Sequence, residues 1–247
     1  MLDFKENLTM KNGEPKYKRI LLKLSGEALA SGAEDSIFNY KVLDGICGAI
    51  KKLTDMGVQV AIVVGAGNIW RGRQGTDMER TTADHMGMLA TVINSLALQD
   101  SLRRLGADAR SMTAIAMPQF AEFYARDKAV HHLEKGRVVI LGCGTGNPFF
   151  STDTGAMLRA AEIGADVVMM GKNIDGVYTA DPKKDPTAKR LDEISYMEIL
   201  EKGLKVIDST AASFGDENKM PLYVFGIDDP ENIIKAVNGE KVGTFIS

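Results

Sequence analysis

The feature that most constrains this chain is a series of short, nearly continuous apolar runs, each followed closely by glycine. They are Ile20–Leu24, Val58–Val64, Val138–Leu141, Asp166–Met170 and Leu222–Phe225. Continuous rather than alternating hydrophobicity suits strands covered on both faces, the condition of a parallel sheet. Between the runs lie segments with helical spacing. Asn39–Met56 carries Val42, Ile46, Ile50 and Leu53 and stops at Gly57, and Asp84–Leu105 stops at Gly106. Asp153–Ile163 follows plausible caps at Thr152 or Asp153 and ends at Gly164. Asp192–Leu200 and Pro230–Val237 complete the set. This alternation predicts a three-layer α/β/α sandwich with a mainly parallel central sheet and right-handed crossovers. In such sheets ligands sit beyond the carboxyl ends of the strands, where the glycine-rich turns fall.

Composition narrows the function classes. A formal net charge of -3 argues against a dedicated nucleic-acid binder, which usually shows a basic face. Cys47 and Cys143 stand far apart with no C-x-x-C pairing, so a disulfide framework or a structural zinc site is disfavoured and a reducing, cytoplasmic setting fits. No apolar run approaches the roughly 20 residues that span a bilayer, so no membrane partner is expected. The polar stretch 1–17 reads as a flexible leader, and 18–247 shows no internal composition shift, so it reads as one domain.

Two strand ends carry the chemistry. Ile20-Leu21-Leu22-Lys23-Leu24-Ser25-Gly26-Glu27 places a lysine beside a glycine turn, and Gly142–Asp153 is a second apolar run stopping in small polar residues. Backbone N–H groups at such turns, next to a helix start, hold phosphate, and a lysine adds a point charge. Two familiar phosphate motifs fail. Gly171-Lys172 is followed by Asn173, so there is no G-x-x-x-x-G-K-[ST], and neither Gly65-Ala66-Gly67 nor Gly142/Gly144 completes a G-x-G-x-x-G. His131-His132 has no third metal ligand near it in sequence and reads as a solvated helix face.

The segments Lys23–Leu29, Gly65-Ala66-Gly67-Asn68-Ile69-Trp70-Arg71-Gly72, Asp84-His85-Met86-Gly87-Met88-Leu89-Ala90, Gly144–Asp153 and Asp175-Gly176-Val177-Tyr178-Thr179-Ala180-Asp181-Pro182 together resemble the bacterial UMP kinases of the amino acid kinase fold family. The resemblance runs in order from about Lys18 to the C-terminus. It implies UMP + ATP → UDP + ADP with Mg²⁺ entering with ATP, no protein metal site, a homohexamer, a role in pyrimidine nucleotide supply, and UTP as a candidate allosteric inhibitor. It also implies roles for individual residues. Lys23, Leu24, Ser25 and Gly26 would hold ATP phosphates, with Gly67 and Arg71 beside them; Asn173, Tyr178 and Asp181 would surround the ATP nucleoside. Gly65, Ala66 and Gly67 would aim main-chain N–H groups at the reacting phosphoryl group, Ala66 on the UMP side. Asp84 would bind the UMP ribose, and Thr145, Gly146, Asn147, Pro148, Phe149, Phe150, Ser151 and Thr152 would enclose UMP. Lys23, Arg71 and Asp153 would form the catalytic set, with Asp153 orienting Lys23 and Lys172 a candidate second cation.

Phosphoryl transfer suits such a set, because it needs in-line positioning and charge neutralisation more than covalent help. The family usually has three glycines where this chain has Gly65-Ala66-Gly67, so the main-chain contact requires a negative φ at Ala66. Two other readings share some of these residues. A carboxylate kinase acting on aspartate, glutamate or carbamate would keep the lysine turn without the Asp84–Ala90 string, and a nucleotide sensor would bind UMP or UTP without turnover.

Overall fold

The computed structural model describes residues 15–33, 36–70, 77–182 and 184–247. In chain order its elements are β1 (Arg19–Leu24), α1 (Gly26–Leu29), α2 (Tyr40–Asp55), β2 (Gln59–Val64), α3 (Arg80–Arg104), β3 (Ala109–Thr113), β4 (Glu122–Phe123), α4 (Arg126–Glu134), β5 (Val138–Gly142), α5 (Thr152–Ile163), β6 (Val167–Lys172), β7 (Val177–Tyr178), β8 (Arg190–Leu191), β9 (Glu193–Ile194), α6 (Tyr196–Glu201), α7 (Ser209–Glu217), β10 (Leu222–Gly226), α8 (Glu231–Val237) and β11 (Gly243–Ile246). Nine strands form one sheet in the order β4-β3-β5-β2-β1-β6-β10-β11-β9, and β7 pairs with β8 apart from it. Every pairing in the large sheet is parallel except β10 with β11.

Two apolar cores, one on each face of the sheet, make the three layers. Ile20, Leu22 and Leu24 of β1 pack with α2 and with Ile233, Ala236 and Val237 of α8. Leu21 faces the other way, into a core with Met157, Ala160 and Ile163 of α5. Side chains alternate across a strand, so Lys23 shares the side of Leu21 and emerges toward α5. The same parity acts in β6, where Val168 and Met170 belong to the α5-side core and Lys172 follows two residues on. Both lysines therefore leave neighbouring strands at their carboxyl ends and on one face.

All five apolar runs form strands, and the sheet with its covering helices matches the sandwich expected from the sequence. Several boundaries differ. The segment expected as a helix over Asp192–Leu200 forms strand in its first part, and α6 starts only at Tyr196, where Ser195 and Glu198 make a reciprocal capping box. Helix α3 begins one turn earlier than expected, at Arg80, with Glu79 accepting from Thr82 N–H. The cap of α5 is Ser151 rather than Thr152 or Asp153. The histidine pair is also split. His131 is exposed, whereas His132 is buried, with Nε2 3.2 Å from Glu122 Oε2 and Nδ1 3.1 Å from the Arg137 guanidinium, so it is no solvated residue. No described helix is long and apolar enough to cross a membrane.

Candidate active site

The carboxyl end of β1 and the start of α5 meet across the sheet edge. Asp153 sits in the first turn of α5, where the positive end of the helix dipole favours a carboxylate. Lys23 Nζ lies 2.8 Å from Asp153 Oδ1, and Lys172 Nζ donates to Asp153 Oδ2 at 2.9 Å. The Lys23 pair is as short as the Lys172 one, so each carboxylate oxygen faces one ammonium group. All three groups are largely buried. Burial works to raise the Asp153 carboxyl, but Lys23 and Lys172 outweigh it and hold it below the usual carboxylate range. Burial lowers the Lys172 ammonium, and the like charge of Lys23 lowers it further, against the pull of Asp153. Two cations thus share one carboxylate at the mouth of the strands, with the Asp208 carboxylate acting on Lys172 from further off. Paired ammonium groups beside a glycine turn are what a phosphate can approach.

The turn after β1 makes that approach possible. A Cβ on Gly26 would stand 2.6 Å from Gly65 O and 2.7 Å from Gly67 N, so only glycine lets the Ser25-Gly26 turn lie against the Gly65-Ala66-Gly67 turn. Gly65 N–H donates to Leu24 O at 2.9 Å, tying the two turns together. None of Gly65, Ala66 and Gly67 has positive φ, so alanine fits the middle position without strain. The third turn behaves differently. Cys143, Gly144 and Gly146 all adopt positive φ, as does Phe149 at 71°. Such a value in a bulky residue stores strain and is found where a site holds the backbone in place. Here Asp84 does the holding, because its Oδ2 accepts from Phe149 N–H at 2.8 Å and from Arg80 Nε at 2.8 Å.

Three cavities meet at the Lys23–Asp153–Lys172 cluster, two of them lined by Asp153 and the other by Lys172. The first, of about 410 Å³, reaches from Lys23, Ala66 and Gly67 to Asp84 on α3, with Asn147 and Phe150 on the opposite wall. Thr145, Ser151, Thr152 and Asp153 also line it. A second, of about 960 Å³, opens beyond Lys172 and is lined by Asn173, Tyr178 and Asp181. A third, of about 430 Å³, lies between α5 and the start of α7 and is shared by Asp153, Lys172 and Asp208. Leu24, Ser25, Gly26, Gly146, Pro148 and Phe149 border the cavity region without lining any of the three, and Arg71 lies outside the described residues. The 203–209 segment walls the third cavity, and in the sequence only Asp208 marks it, as an acidic position shared with the family and a candidate helix cap. Asp208 caps α7 through Ala211 N–H and also accepts from Ser151 and Thr154, so it joins the starts of two helices. Trp70 donates from Nε1 to Ala83 O at 2.9 Å and lines the first cavity.

The model of the amino acid kinase family matches residues 18–226. The chain belongs to that family. Among solved structures it is similar to the UMP kinase from Bacillus anthracis at 40% identity, over 94% of this chain and 96% of that one, with a TM-score of 0.90. The UMP kinase from Ureaplasma parvum aligns at 37% identity, over 93% and 98% of the two chains, with a TM-score of 0.88. The uridylate kinase from Archaeoglobus fulgidus gives 32%, 92%, 99% and 0.71 in the same order.

Proposed function

We propose that this chain is a UMP kinase, transferring the γ-phosphoryl group of ATP to UMP to give UDP and ADP. The observation that carries the reading is the buried Lys23–Asp153–Lys172 cluster where the three cavities meet, in a fold shared with three enzymes of that name. In this reading UMP occupies the cavity bounded by Ala66, Asp84 and the 145–152 segment, and ATP enters from the Lys172 side. Tyr178, Asp181 and Asn173 then border the ATP nucleoside. The β-phosphate and γ-phosphate lie against Lys23, Lys172 and the amides of the two glycine turns, with Arg71 as a further cation.

The residues derive the reaction from charge and position. The nucleophile is a phosphate oxygen of UMP, already ionised, so no general base is needed. Asp153 keeps both ammonium groups turned inward before ATP arrives. At an effective dielectric near 20, an opposite charge at about 4 Å is worth about 4 kcal/mol, enough to select one lysine rotamer. The start of α5 adds amides and its dipole to the same region. Mg²⁺ would enter with the nucleotide, and among the described residues Asp208, which lines two of the cavities, could offer it a carboxylate oxygen. When bound it neutralises phosphate charge.

An assay of ADP release with UMP, CMP, aspartate, glutamate and carbamate tests the reading. Turnover confined to UMP supports it, turnover confined to a carboxylate overturns it, and UMP binding without UDP favours a sensor. The lowered Lys172 ammonium adds a pH signature. A lysine whose proton is held less firmly loses it sooner as pH rises, so kcat/KM for ATP should fall on an alkaline limb below the ordinary lysine range. Lys172→Arg should carry that limb upward; a limb that does not move assigns it to another group.

Assembly as a homohexamer in the cytoplasm, with UTP as an inhibitor and 18–247 acting as one domain, belongs to the same proposal. Leu89 and Ile93 on the outer face of α3, and Phe120 beyond β3, are exposed apolar side chains of the kind an interface covers. Light scattering should give about six times 26.8 kDa; a monomeric mass would reject the hexamer.

A further inference from the structure

Within the kinase reading, one fully buried side chain stands apart from the cavities. Asn94, in the middle of α3, has no exposed surface and lines none of the three cavities. A buried amide on a helix face otherwise suited to leucine or valine lowers stability unless every polar atom is paired. Here each one is. Asn94 Nδ2 donates to Gly65 O at 2.7 Å and to Asn68 Oδ1 at 2.8 Å, while Asn94 Oδ1 accepts from Asn68 Nδ2 at 3.0 Å. Asn68 Nδ2 also donates to Ile37 O at 2.7 Å. Backbone carbonyls can only accept, so the contacts with Gly65 O and Ile37 O fix both amides in one orientation.

We propose that Asn94 is a positioning residue for phosphoryl transfer. From inside α3 its amide fixes Gly65 O and the Asn68 side chain, and these set the gap between the Gly65-Ala66-Gly67 turn and the Ser25-Gly26 turn. The glycine data show how narrow that gap is: a Cβ on Gly26 would meet Asn68 Oδ1 and Gly65 O, both at 2.6 Å. These are the two atoms that Asn94 holds. If the turns drift apart, Lys23 and the amides of the second turn no longer converge on one point, and misplacement by about 1 Å can cost on the order of 100-fold in rate. Substrates would still bind, because Ala66 and Gly67 form only one side of the first cavity and the rest of the walls, Asp84 and the 145–152 segment in the first and Asn173, Tyr178 and Asp181 in the second, are built elsewhere. Asn94 therefore acts on kcat more than on KM.

Asn94→Leu keeps the branched side-chain shape and favours the helix while removing both donors, and Asn68→Ala removes the partner amide from a less buried position. With UMP and ATP, we expect kcat of N94L to fall about 10- to 100-fold with each KM within about threefold. N68A should fall in the same direction, and the double variant should lie within about twofold of N94L, since the two amides act as one unit. A kcat of N94L within twofold of the parent, a loss confined to KM, or losses that multiply in the double variant would overturn the proposal. Should N94L fail to fold, parent-like kcat in N68A overturns it alone. Amide hydrogen exchange over 65–68, measured without substrate, separates this inference from the kinase reading. Faster exchange there at an unchanged thermal midpoint supports the clamp even if the parent makes no UDP, and unchanged exchange rejects it.

Discussion

Lys23→Ala should reduce kcat roughly 100-fold or more, about 3 kcal/mol of barrier, the scale of removing one preorganised donor from a water-poor site. Lys23 is 8% exposed, extends from a strand paired on both sides, and has three ammonium protons, so pairing with Asp153 leaves donors for phosphate. The variant should remain folded, because Lys172 still pairs with Asp153 and the alanine leaves a gap open to the cavities. KM for UMP should change little, since most of that cavity is built by α3 and the 145–152 segment. Steady-state kinetics read the result directly. Turnover within a few-fold of the parent would place the phosphoryl group away from β1.

Asp153→Asn should be costlier still, because it acts on stability and rate together. The carboxylate is buried between two ammonium groups. Neutralising it leaves Lys23 and Lys172 facing each other with no counter-charge, and breaking a buried ion pair in this way costs about 3–5 kcal/mol. In a chain of this size that is a fall on the order of 10 °C in Tm. The pH dependence has a fixed sign. The parent carboxyl is held below its unfolded range, so its stabilising effect is complete above that range and is lost as pH falls through the folded value; the gap between parent and variant should close in acid. ATP should raise Tm more in the variant than in the parent, because phosphate replaces the missing negative charge. Thermal unfolding with and without ATP measures both effects, and an equally stable variant would show that solvent already screens the lysines.

How much of this was legible in the sequence depended on whether apolar character or pairing fixed each element. The strand carrying Lys23 was plain, since four apolar neighbours surround one charge and the parity of the strand sends that charge to one side. Strand β3 was not. Ala-Arg-Ser-Met-Thr has no apolar run, and its buried Ser111 and Thr113 are made tolerable by Gln99 on Ser111 N–H and by Ile115 O. Lys172 lay beyond the run that marked β6, so its place on the same face as Lys23 followed only from the extra ladder residues that β10 adds. The role of His132 was hidden for a similar reason: Glu122 and Arg137 reach it from other elements. Asn94 had no signal at all. An isolated asparagine in a long helix looks like surface until the turn behind it is seen.

The two rims of the nine-stranded sheet are β4 and β9, each only two residues long. Outermost strands with so few free peptide groups give another chain little to hydrogen-bond, which blunts edge-to-edge aggregation. Ladders continued from copy to copy are thereby disfavoured. The apolar outer row of α3 is backed on its inner side by Asn94, so a contact between copies made there would press on the same helix that holds Gly65 O.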